Sequence, residues 1–144
     1  MTTINLTSDG HGGTGEPARS RDHAEAAAEA VRALNHATLR HGDPAGYQWP
    51  ADVDAVVAEL GLLASRLPQV FDQAGSWLTA QADAGRVRHD DQVTDIGHAV
   101  GWVLQCLDDA TANARELASV LACARQASAH LAGIDPADPE GGGL

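Results

Sequence analysis

Residues 90–132 read DDQVTDIGHAVGWVLQCLDDATANARELASVLACARQASAHLA, and their periodicity decides the fold class. Val93, Ile96, Val100, Val103, Leu107, Ala110, Ala114, Leu117, Leu121, Ala124, Ser128 and Leu131 follow steps of three and four without a break. That alternation is the 3.5-residue period of a helix packed along one seam. Asp90, Asp91 and Asp95 stand at the positive end of the expected dipole, Arg125 and His130 at its negative end, and Gly133 supplies the stop. A helix of this length spans roughly 60 Å.

Upstream, Gly85-Arg86-Val87-Arg88-His89 reads as a turn and 51–84 as a second helix. Val53, Val57, Leu60, Ala64, Leu67, Phe71, Ala74 and Leu78 repeat the same alternation, with Val56, Leu63, Val70 and Trp77 recurring every seven residues beside them. A face that broad predicts a central helix with two neighbours and places Trp77 in the core. Pro68 removes a backbone donor, at a cost of about 3 kcal/mol in a helix interior. The seam nevertheless keeps phase across it, which predicts either one kinked helix or two abutting ones. A first helix is predicted over 21–41, with Asp22 and Glu25 as a capping pair and Gly42 as its stop. Its stripe of Ala24, Ala27, Ala28, Val31, Leu34 and Ala37 is thin, so this helix needs a larger surface to pack against.

The expected fold is therefore all-α: an antiparallel bundle of three to four helices with one long C-terminal helix, forming a single domain over 21–133. Residues 1–20 hold Gly, Ser, Thr and Pro with few core-forming side chains and are expected to be disordered. Residues 134–144, with Pro136, Pro139 and Gly141-Gly142-Gly143, are expected to form a flexible tail.

Twenty acidic side chains against nine basic ones give the 144-residue chain a formal charge of −11. Such a surface repels phosphates, which argues against direct binding to nucleic acid or to anionic lipid. No apolar run approaches the roughly 20 residues of a membrane-spanning helix. The two cysteines, Cys106 and Cys123, fall on one predicted helix roughly 25 Å apart, too far for a bridge between them. No basic stretch followed by an apolar core marks a secretory signal near Met1, and a reducing cytoplasm is the expected compartment. All the bases are Arg, and Ala, Gly and Asp are abundant. GC-rich codons supply this composition, and a high-GC bacterial genome is the expected source.

The strong chemical signatures are missing. Without lysine there is no phosphate-binding Gly-Lys-Ser/Thr loop, and neither Cys-x-x-Cys nor His-Glu-x-x-His occurs. Glu25, Glu29, Glu59 and Glu116 are followed at the third position by Ala28, Arg32, Leu62 and Ser119, so the Glu-x-x-His pattern of di-iron bundles fails too. No motif calls for a cofactor. The weak metal candidates are His89, Asp91, Asp95 and His98, because carboxylates and imidazoles on adjacent helical turns can share a divalent ion. The competing reading is an acidic first turn beside a solvated histidine. Cys106 flanks the seam and reads as a small hydrophobe rather than a thiolate nucleophile.

Tryptophans carry more information. The heptad phase points Trp102 away from the seam, with Gly97 and Gly101 leaving room for another helix beside it. Trp49, with Tyr47, sits in the loop bounded by Pro44 and Pro50. Exposed Trp and Tyr anchor many interfaces, so Trp102, Trp49 and Tyr47 are the candidate partner-binding residues. The alternatives are intramolecular: Trp49 as a lid over the end of the core, and Trp102 packed on the first helix.

Gly75-Ser76-Trp77 and Gly101-Trp102 do not supply the Trp-x-Gly turn of the small helical hairpins exported by the type VII system, and the lone Tyr47 cannot supply their C-terminal signal. The stretch 33–92, with YQWPADVDAVVAELGLLASRLPQVFDQ at 47–73, resembles uncharacterised small helical proteins of actinobacteria, often carried on plasmids or integrating conjugative elements. This resemblance covers about half of the chain and rests on seam residues. It implies an actinobacterial host and an accessory role, and it transfers no catalytic residue. The function expected is thus non-catalytic: an adaptor or regulatory protein acting through protein–protein contacts, self-association included. The alternatives are a metal-binding enzyme or sensor built on the 89–98 cluster, and an acidic DNA mimic or antitoxin that binds a basic partner.

Overall fold

The structure is a computed structural model that describes residues 19–40 and 42–134. Most of the segment 1–20 and of the tail 134–144, expected to be loose, lies outside the described residues. Among those described there are three helices and no strand: α1 (Ser20–Ala37), α2 (Pro50–Asp83) and α3 (Ile96–Ser128). The periodicity that predicts an all-helical chain is thus matched, and the three helices among the described residues fall within the three to four expected. The chain gathers into two compact units that divide between Gly46 and Tyr47.

In the first unit, the Asp22 carboxylate accepts the Arg19 N–H at 2.9 Å. Asp22 is therefore already inside the helix, three residues on from the extended Arg19 that caps it, and the predicted Asp22–Glu25 pair does not cap. α1 also stops before the predicted 41, at Ala37, with Thr38 as its cap, whose N–H and hydroxyl both donate to the Leu34 carbonyl at 3.0 Å. Arg32 forks onto Glu29 at 2.7–3.0 Å, a pairing that lowers the Glu29 pKa and raises that of Arg32. Both side chains are exposed, and such pairs add little stability. No residue of α1 is buried. Its alanine stripe offers little apolar area to remove from water.

The second unit is built on α2 and α3. Pro50 takes the first position of α2, where its missing N–H costs nothing. The Arg86 and Gly85 N–H groups close the other end onto the Gln81 and Ala82 carbonyls, both at 2.9 Å, with Gly85 in the left-handed conformation this closure requires. Pro68 lies inside one continuous helix and is buried. The seam along α2 keeps phase across Pro68 from Val57 to Leu78, with Val53 exposed and Gly75 buried in place of the expected Ala74, and the helix does not split.

Residues early in α2 meet residues late in α3, and the reverse. A Cβ on Gly61 would lie 3.7 Å from Leu121, and one on Gly75 would lie 3.2 Å from Leu104 and 3.7 Å from Leu107. The Ser128 hydroxyl donates to Asp54 at 2.7 Å, tying the end of α3 to the start of α2. What this seam buries is small: Ala64, Pro68 and Gly75 against Val100, Thr111 and Ala114. Small side chains let two helix axes approach closely. Among the described residues the buried Thr111 hydroxyl has no hydrogen-bond partner.

The phase of α3 differs from the predicted one by one row. Val100, Leu107, Ala114 and Leu121 face the seam as expected, but Leu104, Thr111 and Ala118 complete it in place of Val103 and Leu117, with Ala110 half-buried beside them. Val103 and Leu117 are exposed, as are Val93 and Leu131, which lie beyond the helix ends. The second row on α2 also differs. Trp77, predicted to be core, is 65 % exposed, and Leu63 and Val70 stand in solvent beside it. A row next to a seam is buried only where a second neighbour covers it.

Candidate functional site

The residues singled out by sequence fall in three places. Trp102 projects from the outer side of α3 and is 69 % exposed, as its heptad position predicts. Nothing lies within 4 Å of a Cβ placed on Gly101.

Trp49 precedes α2 at the other end of the unit. Its backbone N–H and that of Gln48 both donate to the Asp52 carboxylate, at 2.7 and 2.8 Å. These bonds hold the Asp52 pKa below its ordinary value, the Trp49 bond most strongly. The Trp49 ring lies over Gly133, where a Cβ would come within 2.5 Å of it. Trp49 thus rests partly on the chain that leaves α3 while still exposing half of its surface. Tyr47 is exposed two residues earlier. From Trp102 to the end of α3 is about 40 Å at the helical rise, so Trp49 and Trp102 are not brought together.

The 89–98 cluster does not share a helical face. α3 begins at Ile96, not at 90, and Gln92 adopts a left-handed φ of 57° that no continuing helix tolerates. Asp91 instead builds the turn. It accepts the Thr94 hydroxyl at 2.6 Å and the Val93 and Thr94 N–H groups at 2.9 Å, and it lies 2.8 Å from His89 Nδ1. The Thr94 bonds, above all, hold its carboxyl far below the usual range. Asp95 caps α3 by accepting the His98 N–H at 2.8 Å. Both carboxylates are engaged with backbone. Among the described residues no three His, Cys, Asp or Glu side chains are grouped to hold a metal ion. Asp95→Ala is expected to cost about 1 kcal/mol, which thermal melts followed by circular dichroism would read as a fall of about 4 °C.

A feature sequence reasoning left without a role is the contrast between the two sides of the α2–α3 pair. One side carries an open groove of about 610 Å³ beside Gly75, edged by Asp72, Thr79, Asp83 and Asp108. The other carries Leu63, Val70 and Trp77 on α2 and Val103 and Leu117 on α3, all exposed. The signal for it was the seven-residue recurrence of Leu63, Val70 and Trp77, legible as apolar but silent about what covers it. No helix among the described residues is long and apolar enough to cross a membrane. Comparison with protein-family models, curated proteins and solved structures finds no match for this chain.

Proposed function

We propose that this protein is a non-catalytic adaptor or regulatory accessory protein of the cytoplasm, acting through protein–protein contacts made by an antiparallel α2–α3 hairpin. One observation carries the reading: the pair buries small residues and exposes large ones. Ala64, Gly75 and Ala114 lie inside the seam, while Trp77, Trp102, Val70 and Leu117 stand in water. Exposed apolar surface of this size on a soluble chain marks a contact surface. A host of the actinobacterial kind, with the gene on a mobile element, belongs to the same proposal.

The test is capture of partners by the full chain from a nuclease-treated lysate of a high-GC Gram-positive host, repeated with Trp102→Ala and Trp49→Ala. The expected result is a stoichiometric protein partner whose affinity falls at least tenfold with Trp102→Ala, as truncation of an interface anchor does. If both variants retain every contact and the same oligomeric state, the contact surface assigned to these tryptophans is wrong.

A further inference from the structure

We infer that the apolar side of the α2–α3 pair is the surface on which two copies of this chain pair face to face. This inference rests on the interaction reading above and names the partner. Leu63, Val70 and Trp77 each precede a seam residue of α2 by one position (Ala64, Phe71, Leu78), and Val103 and Leu117 precede Leu104 and Ala118 in the same way. In two helices paired early-to-late, positions displaced in the same sense from the seam fall on the same side. Asp72 and Thr79 with Asp108, and Ser65 with Ala122, line grooves together on the opposite side. The Gly61–Leu121 and Gly75–Leu104 approaches put Leu63 level with Leu117, and Trp77 level with Val103.

Three properties choose the occupant. First, charge. The α2 rows 56, 63, 70, 77 and 60, 67, 74, 81, and the α3 row 103, 110, 117, 124, contain no acidic, basic or histidine residue, and at the outer edge of the α2 face stand only Glu59 and Arg66, one of each sign, each one turn from Leu63. On a chain of net charge −11, a basic partner would seek carboxylates and find here only Glu59, beside Arg66. A second acidic copy can approach only through a surface nearly free of them. Second, area. The five exposed large side chains present on the order of 500 Å², and the Ala, Cys and Leu residues between them extend it toward the roughly 800 Å² per partner of a stable interface. Third, the rest of the chain cannot match this surface. Residues 1–18 and 135–144 contain only Met1, Ile4, Leu6 and Leu144 as large apolar residues, and α1 presents Val31 and Leu34 among alanines. A second copy brings the same five large side chains and turns two thin seams into one shared core.

Sedimentation equilibrium of the full chain tests this, up to about 100 µM and at about 50 and 500 mM salt. A dimer is expected whose dissociation constant tightens with salt, because screening relieves the repulsion between like-charged copies. A complex held by opposite charges would show the reverse sign. Val70→Asp at the centre of the face is expected to weaken the dimer at least tenfold, while Ser65→Asp on the opposite side leaves it unchanged. Trp77→Ala, which introduces no charge, is expected to act in the same direction as Val70→Asp and carries the test if that variant does not fold. A monomer at every concentration and both salts overturns the inference, as does a dimer indifferent to both Val70→Asp and Trp77→Ala. A monomer whose capture of a different protein is abolished by Trp77→Ala overturns the dimer and leaves the interaction reading standing. A monomer with no partner sensitive to Trp77, Trp102 or Trp49 removes both.

Discussion

Ala64→Asp is expected to unpair α2 from α3 at neutral pH, the largest effect of any single substitution considered. Ala64 is 1 % exposed, midway along the seam. An unpaired carboxylate there costs about 3–5 kcal/mol, a large part of the roughly 5–15 kcal/mol that holds a whole domain together. The effect should depend on pH. Burial raises the carboxyl pKa in the folded state above its unfolded value near 3.9. The penalty is then full above the raised pKa and shrinks as pH falls through it. Circular dichroism melts at pH 7 and pH 4.5, each referred to the wild type at the same pH, check this. Ser65→Asp, one residue on and exposed, should melt within a few degrees of wild type. A loss at Ala64→Asp as small as that at Ser65→Asp would mean that the seam is not where the unit is held. The contrast with Val70→Asp is informative as well. Val70 is 55 % exposed, so a carboxylate there stays hydrated within one copy and acts only on contact between copies.

How far the sequence anticipates this structure depends on which physical signal each feature leaves. Helical state and the α2 seam leave a strong one, because every turn repeats it: Val57, Leu60, Ala64, Leu67, Phe71 and Leu78 line the contact as their spacing predicts. The phase of α3 is weaker. Val103 and Leu117 are as apolar as Leu104 and Ala118, so two neighbouring rows satisfy the same alternation, and only the partner helix selects between them. The α3 start is misread for a local reason. Asp91 reads equally well as a first-turn acid or as a turn-builder, and its bonds to Val93 and Thr94 commit it to the turn. The outward direction of Trp102 follows from periodicity alone. What Trp77 faces does not, since a wide apolar stripe reports that a surface needs cover and carries no information about which chain provides it.

Gly75→Val is expected to destabilise the α2–α3 pair by about 2–3 kcal/mol, whereas Gly75→Ala should change stability by less than about 0.5 kcal/mol. The difference follows from what each side chain meets. A lone Cβ lies 3.2 Å from a terminal methyl of Leu104, the movable end of a flexible side chain, and alanine gains up to about 1 kcal/mol of helix propensity over glycine. The two terms nearly cancel. Valine adds two branches at a position that is already buried. Leu104 and Leu107 then have to yield together, or the helices have to separate and lose contacts along the seam. Truncating the obstructing residue separates these outcomes. If the clash with Leu104 sets the cost, Leu104→Ala combined with Gly75→Val should recover at least about 1 kcal/mol over the sum of the two single substitutions, the coupling expected of residues in direct contact. Additive losses in that cycle, read from urea midpoints at constant m-value, would place the cost in the backbone spacing of the two helices rather than in the Leu104 side chain. The close approach at Ala64, Pro68 and Gly75 would then be a fixed distance set by the whole seam, one that side chains on α3 cannot adjust.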